Sequence, residues 1–532
     1  MFQYHSPLYP TLKVMNHTPD FATINQPTVD TVHGKGSAWY LALVCLVASL
    51  GGLLFGFDTA VISGTVERVR EQFALSELMV GWFTSSALVG CVFGAAVAGM
   101  LGDRFGRKPV LISAGALFLL SALYSTIPPT FSVLVLARLI CGVGIGMASV
   151  IAPMYISEFA PPKWRGRLVT FYQLSIVIGI LLAYLSNWLL LRFAQIHPQA
   201  FSNWATFHWI MVSEYWRGMF GAEMLPAILF LLMLFCVPET PRWLIQAGQE
   251  ARGVQVLTRI SGPLTAERQL AEIKATFGLE RGSIRELFRP GLRTALLVGV
   301  MLSVFGQLSG VNIVVYYGPK ILMAAGFQAA GALLAQVGFG LINLVFTVLA
   351  LLVIDRLGRR PLLVGGMGAV TLTLAAIGGA FLFGVRHASV VADVGSSGTV
   401  SKVVGLWIVG MICVYMACIA LSICAVIWVL TPEIFPNRVR GRAVSLATFA
   451  NWATNAFSAW VFPWYAAKYG MPVFFFTTAG ICLVATLYFW KSVPETKGRS
   501  LEEIEKLWLT QTSNQSQEEI GDSAGIGAGR RR

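Results

Sequence analysis

The feature that most constrains this chain is a succession of long apolar segments. Twelve occur, at about 39–65, 78–101, 109–127, 130–156, 168–191, 218–237, 294–325, 330–354, 361–384, 404–431, 443–466 and 471–491. Crossing about 30 Å of hydrocarbon takes roughly 20 helical residues, and these segments are of that length. In lipid no water meets the backbone, so each segment must satisfy its own N–H and C=O groups as a helix. A barrel would show alternating strands of about ten residues instead. With 56% hydrophobic and only 12% charged residues, the chain needs lipid as its solvent. The prediction is an all-α membrane protein with twelve transmembrane helices.

The net charge of +13 does not point to nucleic acid, because the basic residues form short clusters between apolar runs. With both termini inside, the inner segments hold roughly 30 basic residues and the outer loops about 8. This sets the expected orientation, with a cytoplasmic tail at 1–38 and another at 492–532. The polar stretch 239–292 is predicted to form short cytoplasmic helices between the sixth and seventh spans. The outer loop before the sixth span carries His197, Trp204, His208, Trp209 and Trp216, read as interfacial or lid residues. No Asn-x-Ser/Thr sequence lies in an outer loop, since Asn16 and Asn514 fall in the tails, which favours a bacterial inner membrane.

Eight cysteines stand singly in apolar segments, at 45, 91, 141, 236, 413, 418, 424 and 482, and read as small packing residues. The histidines are scattered. Neither a metal site nor a cofactor is expected, and no nucleophile–base pair or phosphate loop argues for an enzyme.

The two halves repeat. Gly102-Asp103-Arg104-Phe105-Gly106-Arg107 follows the second span, and Asp355-Arg356-Leu357-Gly358-Arg359 follows the eighth. Glu158 precedes Arg165-Gly166-Arg167 by the same interval at which Glu433 precedes Arg440-Gly441-Arg442. Pro238-Glu239-Thr240 follows the sixth span and Pro494-Glu495-Thr496 the twelfth. Three paired motifs in one order mean that six helices were duplicated, giving halves at 39–238 and 293–491. The motifs place Asp103, Arg104, Arg107, Glu158, Arg165, Glu239, Arg242, Asp355, Arg356, Arg359, Glu433 and Arg440 at the inner ends of helices. There they are expected to form a gate latch, pairing across the halves when the inner side is closed.

With Pro238-Glu239-Thr240-Pro241-Arg242-Trp243-Leu244, Gln307-Leu308-Ser309-Gly310-Val311-Asn312 and Pro494-Glu495-Thr496-Lys497-Gly498, the chain resembles the sugar porter family of the major facilitator superfamily, over roughly 40–500. The resemblance implies two six-helix bundles (the major facilitator fold) that rock around a central sugar site. Asp58, Arg138 and Glu223 are the ionisable residues well inside apolar segments, where an unpaired charge costs about 2.5–3.5 kcal/mol on the insertion scale. The resemblance pairs Asp58 with Arg138 as the proton-coupling couple, with Glu223 as a candidate third member. A monosaccharide needs amides for its hydroxyls and an aromatic plane for its C–H face. Gln173, Gln307, Asn312, Trp428 and Asn451 match the family's binding positions, with Trp452 beside the last.

The pattern also departs from the family. Gly306 stands where many members have a first glutamine, and Ile180 where a xylose symporter has a second. The stretch Cys424–Trp428 lacks a Gly-Pro pair, so a stiffer tenth helix is expected. The function expected is a monomeric carrier that imports a hexose or pentose with a proton. A facilitative uniporter is the alternative, and a non-transporting sensor a weaker one.

Overall fold

The computed structural model describes residues 37–161, 164–275, 284–289, 292–392, 402–436 and 439–497, with the side chains of Arg165, Ile284, 385–392 and Lys402 outside that set. Twelve long helices follow one another. They are α1 (Ala38–Phe73), α2 (Glu77–Phe105), α3 (Arg107–Thr126), α4 (Phe131–Phe159), α5 (Arg165–Ile196) and α6 (Tyr215–Phe235), then α7 (Leu292–Ala324), α8 (Ala329–Leu357), α9 (Arg359–Ala392), α10 (Lys402–Leu421 continued by Ile423–Glu433), α11 (Arg440–Tyr469) and α12 (Met471–Ser492). Between α6 and α7 stand short helices at Pro241–Gln246, Glu250–Ser261 and Pro263–Ala275 and a 3-10 turn at Ile284–Phe288. No strand occurs among the described residues.

Local sequence sets the helix starts. The hydroxyls of Ser37, Ser76 and Thr130 accept from the backbone N–H groups of Tyr40, Met79 and Val133, satisfying donors that lipid would leave bare. The turns after α2 and α8 hinge on Gly106 and Gly358, at φ +102° and +92°, where a side chain is strained. The duplication seen in the motifs is thus repeated in the backbone.

Eleven of the helices are long and apolar enough to cross a membrane on composition alone. The twelfth, α11, carries Arg440, Arg442, Asn451, Asn455 and Lys468, which lower its hydropathy. It is nonetheless a single thirty-residue helix, with Asn451 and Asn455 buried, as a spanning helix with inward amides would have them.

Small residues let the helices of the first half touch. Gly90 and Gly94 of α2 face Gly142 and Gly146 of α4, and a Cβ on Gly142 would lie 1.8 Å from the Ala87 carbonyl. Gly56 of α1 meets the backbone of Ile176 in α5 in the same way. These close approaches hold α2 against α4 and α1 against α5 at fixed depths.

Call the side that carries the paired motifs the motif face. The halves meet on the opposite side. There Lys320 of α7 bonds Glu77 of α2 at 2.8 Å, and Gly81 of α2 lies against the Trp460 carbonyl of α11. Nearer the middle, Ser63 donates to Gln336 of α8 at 3.0 Å, and Phe55 of α1 stands 5.5 Å from Trp452 of α11.

Two expectations are corrected. The tenth helix breaks despite lacking Gly-Pro. Ser422 leaves helical geometry at φ −102°, ψ −106°, and its hydroxyl donates at 2.7 Å to the Cys418 carbonyl, which also accepts the Ser422 N–H. Trp216 is not interfacial: it is buried against Phe73 and Phe220, with its indole N–H donating to Gln72. Arg217 lies against the rings of Trp209 and Trp216, 4.0 and 4.4 Å from their centres, so Trp209 too serves packing. Trp204, in contrast, is 64% exposed.

Candidate functional site

Asp58, Arg138 and Glu223 converge from α1, α4 and α6, each at most 2% exposed. Glu223 stands where α6 is interrupted between Gly221 and Met224, which frees it to turn inward. Arg138 is ion-paired to one oxygen of Asp58, and the other Asp58 oxygen has no partner. Glu223 approaches the thiol of Cys141, which lies 3.9 Å away, one turn along α4 from Arg138. Ligand atoms of Asp58, Cys141 and Glu223 all fall within 4.8 Å of one another. Cys141 was invisible as a site residue in the sequence; its position three residues after Arg138 was the available signal.

Two carboxyls and one guanidinium share this buried site. Full ionisation would leave one negative charge unbalanced, at a cost of several kcal/mol. One proton shared by the two carboxyls would restore neutrality. A metal cation does not fit the same donors well, because Arg138 already places a positive charge on Asp58.

Three of the five expected sugar residues form a relay. Asn312 donates to Gln307 at 2.6 Å, and Gln307 donates to Asn451 at 2.8 Å. The break in α7 explains how residues five apart meet. Gly310 takes φ +88°, and the helix restarts at Val311. Gln173 is half-buried on α5 and Trp428 is 48% exposed on α10; neither joins the relay. Trp452 does belong to this region. It is buried, packs on Phe55, and its indole N–H has no partner, an unmet donor at the edge of the site. A cavity of about 10 Å³, room for about one water, is lined by Asp58, Arg138, Phe55, Tyr316 and Trp452 among others. The charge cluster and the region of the amide relay therefore share a wall.

At the motif face the expected charges form two matching networks, each within its own half. Arg107 bonds Glu158 at 3.0 Å and Asp103 at 3.2 Å. Arg359 bonds Glu433 at 3.1 Å and Asp355 at 3.0 Å. Glu239 accepts from the backbone N–H groups of Lys108 and Thr240, capping α3. Glu495 accepts from those of Arg359, Arg360 and Lys497, capping α9. Burial pushes the Glu239 carboxyl up despite these donors, whereas at Glu495 burial is outweighed by the backbone donors and the carboxyl is held down. Arg440 donates to the Phe435 carbonyl rather than to Glu433. Arg104 lies over Phe105, and the Arg356 carbonyl accepts from Lys497. Arg242 makes no described ion pair, and the side chain of Arg165 lies outside the described residues.

The chain matches the family model described as "Sugar (and other) transporter" over residues 44–508. It is 36% identical to the arabinose-proton symporter of Bacillus subtilis over 93% of its own length and all of that protein's. It is 36% identical to the D-xylose-proton symporter of Escherichia coli over 90% of its length and 98% of the relative's. Among solved structures it resembles a partially occluded inward-open form of the E. coli xylose transporter, with a TM-score of 0.73 at 35% identity over 87% of this chain and all of that one. On these grounds the chain belongs to the sugar transporter family of the major facilitator superfamily.

Proposed function

We propose that the chain is a secondary active transporter that imports a monosaccharide, hexose or pentose, together with a proton by alternating access. The observation that carries this reading is the buried Asp58–Arg138 pair with Glu223 beside it, on the wall of the amide-lined region. A static pair would be poor value for stability, because desolvation offsets most of its attraction. A pair that takes up a proton has a use: protonated Asp58 lets go of Arg138, and α1 and α4 become free to shift.

Each residue has a task in this reading. Gln307, Asn312 and Asn451 exchange their mutual hydrogen bonds for sugar hydroxyls, Gln173 adds a further amide, and Trp428 covers a C–H face. Asp58 carries the proton, with Arg138 as its charge partner and Glu223 as the neighbouring carboxyl. The motif-face charges act as the gate. In the present state they brace each half internally, and on closure of that face some re-pair across the halves. The motif face is cytoplasmic, as are both tails, the halves are 39–238 and 293–491 joined by 239–292, and the protein works as a monomer in the cell's inner membrane. It has no enzymatic activity and no nucleic-acid partner.

The test is uptake of labelled pentoses and hexoses into proteoliposomes with and without an inward proton gradient. Gradient-driven accumulation, with alkalinisation outside, is expected. Uptake that only equilibrates, at the same rate with and without the gradient, would make the protein a uniporter.

A further inference from the structure

The protein has an open apolar groove of about 360 Å³. It lies between the motif-face ends of α7 and α11 and the 3-10 turn before α7. Its walls are Phe288, Leu296, Leu297, Val300, Leu446 and Phe449, with Arg293 as its charged lining residue. The volume falls in the usual range for a small-molecule site, about 300–1,000 Å³. Phe288, Leu297 and Phe449 are 62%, 54% and 53% exposed. A sugar would find almost nothing here to hydrogen-bond, so this is a surface for hydrocarbon.

One end of the groove is basic. Arg293 lies in the first turn of α7, and Arg289 precedes it by one turn, its carbonyl accepting from the Arg293 N–H at 3.0 Å. On α11, Arg442 precedes Leu446 by four residues and so shares its side of the helix, one turn nearer the membrane surface. None of these three arginines is in an ion pair among the described residues, whereas Arg107 and Arg359 each hold two carboxylates. An apolar groove with unpaired cations at its end is complementary to one kind of molecule.

We propose that this groove binds an anionic phospholipid of the motif-face leaflet, one acyl chain along Leu297, Val300 and Phe449 and the phosphate against Arg293 and Arg442. Each basic residue near the surface contributes roughly fivefold to the affinity for an anionic headgroup, so removing both should weaken binding about thirtyfold. The site needs only that α7 and α11 lie in the membrane. It does not depend on which solute is carried.

The test uses the full-length protein in a neutral detergent, titrated with phosphatidylglycerol, with phosphatidylcholine of the same chains, and with inorganic phosphate. Thermal melting and retention of the lipid on the purified protein are the readouts. Expected is a saturable stabilisation by phosphatidylglycerol, little by phosphatidylcholine and none by phosphate. Arg293→Gln with Arg442→Gln should weaken it about thirtyfold, the Arg442→Lys and Arg293→Lys pair should restore most of it, and Leu297→Trp, which fills the slot and keeps the charge, should also weaken it. Unchanged binding in the glutamine variant overturns the proposal. So does a loss seen only with the arginines and not with Leu297→Trp, because the lipid would then be held by surface charge without the groove.

Discussion

Replacing Asp58 with asparagine separates transport from coupling, and the structure sets what each should lose. The amide keeps the shape of the carboxyl but takes up no proton. A membrane potential of 100 mV supplies about 2.3 kcal/mol per charge moved, roughly fiftyfold accumulation, and Asp58→Asn should reduce that to equilibration. Exchange of labelled for unlabelled sugar should survive, because Asp58 belongs to the charge cluster and not to the amide relay. Stability is the second readout. Breaking a buried ion pair costs about 3–5 kcal/mol when the remaining charge is stranded. Arg138 is not stranded here, since Glu223 lies in the same cluster with its ligand atom within 4.8 Å of Asp58's. The single variant should therefore cost well under that range, and Asp58→Asn with Glu223→Gln should reach it. Accumulation ratios in proteoliposomes, counterflow and melting midpoints measure all three. Full accumulation by Asp58→Asn, or a double variant as stable as the single one, would refute the reasoning.

Gln307→Ala removes the centre of the amide relay and should weaken sugar binding by about 1–3 kcal/mol, five- to a hundredfold or more, with little change in folding; titration of the purified variant by calorimetry measures it. Glu158→Gln leaves Arg107 with Asp103, which is half-exposed, as its one carboxylate partner among the described residues, so the motif face should loosen. Increased cysteine labelling from that face is the expected sign, and unchanged labelling removes Glu158 from the gate. Glu77→Gln frees Lys320 on the opposite side, where the halves meet, and should shift the population toward the state open there, read by spin-label distances across α2 and α7. Glu495 is held below the ordinary carboxylate range, so its contribution to stability is present above that range and lost as pH falls through its lowered value. Melting midpoints measured down through pH 4 should fall more for the wild type than for Glu495→Gln.

Much of the fold was legible because lipid imposes it. A segment that must satisfy its own backbone leaves a long apolar run, and all twelve were found, including α11 with its inward-turned asparagines. The repeated loops were legible because their glycines and charges recur at equal spacing. The interior was less so. Nothing in the local sequence around Ser422 announces a break, since a serine back-bonding to a carbonyl four residues earlier also occurs in unbroken helices. Cys141 looked like packing because its partner, Glu223, is far away in sequence and reaches it only through the interruption of α6. Trp216 and Trp209 looked interfacial because tryptophan is common there, and it took Arg217, held against both rings, to show their use. The pairing of the motif charges within each half could not be read either, because the same spacing serves contacts inside a half and across the halves.

The two halves repeat in backbone but not in chemistry, and that difference bears on how coupling works. Asp58, Arg138 and Glu223 lie in the first half, and the amide relay lies in the second. A protein built this way would need a long route between ion and solute if the two sites were apart. Here they lie close: Phe55, three residues before Asp58, packs on Trp452, next to Asn451. The small cavity beside it is bounded by Asp58 and Arg138 on one side and by Tyr316 and Trp452 on the other. In the proposed mechanism, release of Arg138 from Asp58 lets α1 move. Phe55 moves with it, and the first residue it meets belongs to the helix that carries Asn451. The relay Asn312–Gln307–Asn451 is strained or relieved in turn, so sugar affinity and protonation become linked through direct packing between α1 and α11.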